Sequence, residues 1–263
     1  GLNDSLIEDA YEAGIDTIIT CDNGIAAAPQ IQLAKEKGMT VVVTDHHEVP
    51  YEEIGGERKY LLPPADAVVD PKREDCAYPY KQICGAVVAY KFIQLLFFKA
   101  GLCKAPITEE EATSEDWEVE KKEDDKSDKI NPQAILKELL MFAALATVCD
   151  VMELKDENRI IVKEGLKQIH QNPCLGVKAL IEVNGIEPGK LSAYHLGFVI
   201  GPCLNATGRL DTATRALELL AAPDARSAVT IAGELKEMND SRKNLTLQGL
   251  EEAEKQIWEQ ELF

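Results

Sequence analysis

Four histidines occur in this 263-residue chain, and two of them are adjacent, in Thr44-Asp45-His46-His47-Glu48. They follow the apolar run Met39-Thr40-Val41-Val42-Val43, so the Asp-His-His triplet falls where a buried strand should end. In open α/β sheets the strand tips carry the chemistry. One carboxylate and two imidazoles at such a tip suit a divalent metal. Asp22 closes the preceding β-branched run Asp16 to Cys21, just before Asn23-Gly24. Adjacent parallel strands lie about 5 Å apart, so Asp22 and His46 have the reach to share one ion. Asp150, in Ala146-Thr147-Val148-Cys149-Asp150-Val151, is a lone carboxylate after a long apolar segment. Such a group is costly unless it is bound to something.

Each of these residues also has a plainer reading. Asp22-Asn23-Gly24 suits a turn or a helix cap, and Asp150 suits a cap or a pairing with Lys155 or Arg159. A histidine pair in a loop often serves only the surface or a structural hydrogen bond. Taken together, at the expected places in an α/β topology, the three favour a metal site.

The elements that must position them follow from periodicity and breakers. Ser5 to Ala13 reads as a helix stopped by Gly14, Ala26 to Lys37 as a helix stopped by Gly38, and Gly85 to Gly101 as an apolar helix. Strands are expected at residues 16–21, 41–43 and 67–69, the last ending at Asp70-Pro71 after a proline-containing loop through Pro63-Pro64. Strands separated by helices of about a dozen residues predict βαβ units and a parallel sheet. From Asn131 onward the pattern is helical: Ala134 to Val148, Asn158 to Gln171, Val177 to Val183, Thr212 to Leu220, and Ala225 to about Leu262. The expected class is α/β, a parallel sheet with flanking helices followed by a mostly helical part. The expected divisions are an α/β part over residues 1–104, an acidic and disordered insertion over 105–130, a helical remainder of the core over 131–222, and a connector helix over 223–263.

The net charge is −18, of which residues 105–130 (11 acidic, 4 basic) supply −7. An acidic surface does not exclude nucleic acid, because bound cations reverse the local sign at a phosphoester site. Seven scattered cysteines with no CxxC pair argue for reduced thiols in the cytoplasm rather than a zinc site. No window approaches the roughly 18 uninterrupted apolar residues of a membrane span. The chain starts Gly1-Leu2-Asn3 without methionine and finishes in a charged helical run, which leads us to expect a fragment of a longer protein.

Ile18-Ile19-Thr20-Cys21-Asp22-Asn23-Gly24 and Val43-Thr44-Asp45-His46-His47-Glu48 resemble two motifs of the DHH phosphoesterase superfamily. Cys84-Gly85-Ala86-Val87, the Asp150 segment with Glu157-Asn158-Arg159, and Gly201-Pro202-Cys203-Leu204-Asn205-Ala206-Thr207-Gly208-Arg209-Leu210 are similar to its branch of single-strand-specific 5′→3′ DNA exonucleases. The resemblance implies a two-metal site for Mn²⁺ or Mg²⁺ with Asp22, His46 and Asp150 as ligands. It implies His47 at the scissile phosphate, Asp45 orienting the imidazoles, and Asn205 and Arg209 on the path of single-stranded DNA. Single-strand-binding protein and a helicase are the partners it implies, and DNA repair and recombination the setting.

The chain also departs from that pattern. No Asp-x-Asp follows a strand, the glycine-rich C-terminal domain and the oligonucleotide-binding domain of the branch are missing, and Cys203 stands where a basic residue is usual. We therefore expect residues 1–263 by themselves to be inactive or weakly active. Two alternatives stay open from sequence: a DHH phosphodiesterase acting on short RNA or cyclic dinucleotides, and a non-catalytic DHH-derived replication scaffold.

Overall fold

The computed structural model describes residues 1–103, 131–187, 189–206 and 210–259. The expected acidic insertion and Arg209 lie outside the described residues. In chain order the elements are α1 (Asp4–Glu12), β1 (Thr17–Ile19), α2 (Ala28–Glu36), β2 (Thr40–Thr44), β3 (Tyr51–Ile54), β4 (Glu57–Tyr60), β5 (Ala67–Val69), α3 (Gly85–Lys99), α4 (Pro132–Cys149), α5 (Asp156–Gln171), α6 (Leu175–Val183), α7 (Ala193–His195), a π-helical turn (Leu196–Ile200), α8 (Gly201–Leu204), α9 (Leu210–Leu220) and α10 (Ala225–Glu259). They divide into two compact units, Gly1–Arg159 and Ile160–Phe263.

In the first unit β1, β2 and β5 form a parallel sheet with β2 in the middle. Its register pairs Ile19 with Val42, and Thr44 with Val69. Alternation along β2 sends Val41 and Val43 into a core with Ile7, Ile31, Ala34 and Met39, so α1 and α2 cover one face of the sheet. Helix starts are set locally. Asn3 caps α1 by accepting from Leu6 N–H at 2.8 Å, and Asn131 caps α4 by accepting from Ala134 N–H at 3.1 Å, with Pro132 in the first turn. α3 packs along β2 and against α4. By length and composition α4 would suffice to cross a membrane, and it buries Leu136, Met141, Ala143, Ala144 and Leu145 within the protein.

One element departs from the expected loop before Pro63. β3 and β4 form an antiparallel hairpin turned by Gly55-Gly56, both at positive φ (65° and 87°), as a two-residue type I′ turn requires. Every residue of both strands is exposed, so the alternation that marks a half-buried strand is missing.

Among the described residues, every element of the second unit is a helix. α6 packs on α10 and α9. A Cβ at Gly176 would stand 2.2 Å from Leu219 O, so that crossing requires glycine. The α7–α8 segment with its π-turn, where Leu196 and Ile200 are buried, was not expected from periodicity.

Candidate metal centre

Three strands ending at one level bring their tips together. Beyond β1, Thr20 N–H donates to Val42 O at 2.9 Å and Asp22 N–H to Thr44 O at 3.1 Å. Thr44 Oγ1 donates to Thr20 O at 2.6 Å, and Asp45 N–H donates to Val69 O at 3.0 Å. Asp22 takes a left-handed conformation (φ 62°), which aspartate tolerates better than most residues. Its side chain packs on the first residue of α3, where a Cβ at Gly85 would fall 2.3 Å from Asp22 Oδ1. Only glycine leaves room there for the carboxylate.

The histidines have different surroundings. His46 is buried, and its Nε2 lies 2.9 Å from Asp22 Oδ1 and 3.6 Å from Asp150 Oδ2. His47 is largely exposed, and its Nδ1 is 2.6 Å from Asp45 Oδ1. The two rings are 4.5 Å apart. Asp45, itself buried, also accepts from Ile25 N–H at 2.9 Å and from His46 N–H at 2.8 Å. Burial by itself would raise the Asp45 carboxyl. The hydrogen bonds from Ile25, the His47 ring and the two histidine backbones outweigh it and hold the group below the usual carboxylate range. The hydrogen bond to Asp45, against a smaller opposing effect of burial, raises His47; the charges of Asp45, Asp22 and Asp150 add to the rise.

Asp150 reaches the site from the end of α4 through a specific C-terminal motif. Val151 N–H donates to Val148 O at 3.2 Å and Met152 N–H to Thr147 O at 3.1 Å, with Val151 at φ 56°. This is the Schellman arrangement, with valine in the left-handed position that glycine usually takes. Below it, Asn158 donates to Gln82 O and Glu153 O, and Glu157 joins Tyr78 and Lys91. These contacts fix the start of α5 beneath the site.

The donor set fits a divalent ion. Among the described residues, Asp22, His46 and His47 form a group whose ligand atoms all lie within 4.8 Å of one another. His46 Nδ1 is buried without a hydrogen-bond partner, as for a ring held in place for its other nitrogen. Oxygen and imidazole donors suit Mn²⁺ or Mg²⁺ more than a thiolate zinc site. The nearby Cys21 thiol is pushed up by burial and then by Asp22, which keeps it protonated.

A model of the DHH family, N-terminal domain, matches residues 3–115. Those residues belong to the DHH family. The chain is 35% identical over 246 residues to the single-stranded-DNA-specific exonuclease RecJ of Dickeya dadantii (strain 3937), covering 93% of this chain and 38% of that protein. It is 32% identical over 262 residues to RecJ of Bacillus subtilis (strain 168), covering 100% of this chain and 28% of that one. The crystal structure of RecJ from Thermus thermophilus in complex with Mn²⁺ superposes with a TM-score of 0.70 at 28% identity, over 96% of this chain and 32% of the other. The chain thus spans well under half the length of these relatives.

Of the residues singled out from sequence, Asp22, Asp45, His46, His47 and Asp150 come together at the DHH-family sheet tips. Asn205 lies in the second unit as the exposed C-cap of α8. The supporting role of Gly85 was missed, although it sits in a motif that sequence reading had noted. So was Asp70, which closes β5 and is buried. Only the register shows how near it lies.

Proposed function

We propose that this chain is the catalytic core of a metal-dependent, single-strand-specific 5′→3′ DNA exonuclease acting in DNA repair and recombination. What carries the reading is the convergence of Asp22, His46 and His47 at adjoining strand tips, with Asp150 from the end of α4 beside His46, in a chain so similar to RecJ proteins. That similarity favours this reading over a dinucleotide phosphodiesterase or a scaffold.

Asp22, His46 and Asp150 hold Mn²⁺ or Mg²⁺. When bound, such ions supply Lewis acidity and a water-derived nucleophile at neutral pH. Asp45 fixes the His47 ring with its Nδ1–H inward, which leaves Nε2 facing outward. With its raised pKa, His47 donates a proton or a hydrogen bond to the scissile phosphate or the leaving oxygen. Asn205 and Arg209 hold the strand, the arginine by bidentate contact with a phosphodiester. Single-strand-binding protein and a helicase supply the unwound substrate. The cytoplasm, where thiols stay reduced, is the compartment.

The test is degradation of a long single strand, labelled at either end, by the full-length protein with Mn²⁺, compared with hydrolysis of cyclic dinucleotides. Processive loss from the 5′ end that stops in chelator, and is abolished by His46→Ala with strand binding retained, is the expected result. Faster dinucleotide hydrolysis, or turnover untouched by His46→Ala, would overturn the reading.

A further inference from the structure

Asp45 serves one histidine of the pair and leaves the other without a supporting acceptor. Its side chain meets the His47 ring, the Ile25 N–H and the backbone N–H groups of both histidines, but not the His46 ring. His46 Nδ1 is buried with no partner. A neutral imidazole carries one N–H, so once Nε2 gives its lone pair to a cation the proton must sit on Nδ1. A buried Nδ1–H without an acceptor would then work against binding.

On the neighbouring strand a buried acceptor has the complementary lack. Asp70 is 2% exposed; its Oδ1 accepts from Lys72 N–H at 2.7 Å, while Oδ2 is buried with no partner. Thr44 pairs with Val69, and Asp45 N–H donates to Val69 O, so the tip holding His46 runs beside the tip holding Asp70. Asp70 lies within electrostatic reach of both Asp45 and His46.

We infer that Asp70 is the positioning residue for His46, its Oδ2 accepting from His46 Nδ1–H directly or through one buried water, so that Nε2 is presented to the cation. The two carboxylates at the tips of β2 and β5 then divide the work: Asp45 holds His47 and Asp70 holds His46. This rests on the reading of Asp22, His46 and Asp150 as metal ligands. Metal-binding imidazoles commonly have such an acceptor behind them.

Two measurements test it. Calorimetric titration with Mn²⁺ should show Asp70→Ala binding about 10–100-fold more weakly than the unaltered protein. Asp70→Asn, whose single acceptor oxygen cannot serve both Lys72 N–H and His46 Nδ1–H, should also bind Mn²⁺ more weakly than the unaltered protein. In the unaltered protein loaded with diamagnetic Mg²⁺, long-range ¹H–¹⁵N correlation should find the His46 proton on Nδ1. Equal Mn²⁺ affinity in all three proteins would overturn the inference. A His46 proton on Nε2 would do so too, and that spectrum decides the matter even if Asp70→Ala fails to fold. Absence of saturable Mn²⁺ binding in the unaltered protein would instead overturn the metal-site reading itself.

Discussion

Asp45 Oδ1 lies 2.6 Å from His47 Nδ1, so the first residue of the Asp-His-His triplet holds the third. Asp45→Asn removes the charge that favours the imidazolium and weakens control of the ring. Turnover on single-stranded DNA should fall about 10–100-fold, the usual scale for a supporting partner. The His47 titration should move down at the same time. Steady-state kinetics and histidine NMR of the variant check both.

The same carboxylate gives a sign for acid stability. Its folded pKa is depressed, so its contribution is fully present above the unfolded value of about 3.9 and is lost as pH falls through the lower folded value. Asp45→Ala should lower stability at neutral pH by about 1–3 kcal/mol, because the buried Ile25 N–H loses its acceptor. Below pH 3 the difference from the unaltered protein should shrink. Denaturant melts at pH 7 and pH 3 measure this.

Gly85→Ala puts a methyl group where Asp22 now sits, 2.3 Å from Oδ1 and 2.6 Å from its Cβ. Swinging the exposed carboxylate moves Oδ1 but not Cβ, so the backbone at Asp22 or at the start of α3 must shift, and stability should fall by about 1–3 kcal/mol. The ligand would then be misplaced, and Mn²⁺ affinity should drop at least about tenfold. Paired calorimetry and thermal melting separate the two effects.

Val151 holds a left-handed conformation with its side chain 88% exposed. The conformation costs an L-residue about 1–2 kcal/mol, against roughly 0.5–1 kcal/mol of extra chain entropy for glycine. Val151→Gly should therefore stabilise the protein by about 0.5–1 kcal/mol and leave Mn²⁺ binding by Asp150 in place. A lower denaturation midpoint in the variant would contradict this.

Mn²⁺ at a hundred times its dissociation constant should stabilise the folded protein by about 2.7 kcal/mol. The shift should vanish in His46→Ala and reverse on adding chelator. Thermal melts at stepped Mn²⁺ concentrations follow it.

Much of this was legible in the sequence because the deciding signals are local. The run from Thr40 to Thr44 is apolar and β-branched, and the triplet follows it directly, so both strand and site could be read from one stretch. Gly14 and Gly38 mark helix ends through positive φ, which a breaker signals without tertiary context. The hairpin stayed hidden because Tyr51 to Tyr60 buries neither face, although Gly55-Gly56 was a usable sign. Asp70 and Gly85 stayed hidden for another reason. What each touches is set by register and by the seating of α3 beside β2, relations that no spacing along the chain encodes.

The parallel register also bears on which changes the chain can absorb. Side chains alternate along a strand with a period of two, so adding or deleting one residue within 40–44 would turn Asp45 toward the opposite face and move His46 by about 3.3 Å. Exchanging one branched apolar residue for another in β2 would do neither. In that stretch composition is free to drift while length is not. The exposed hairpin between it and β5 has the opposite latitude, since among the described residues its strands pair only with each other, and its turn can grow without moving any of the three tips.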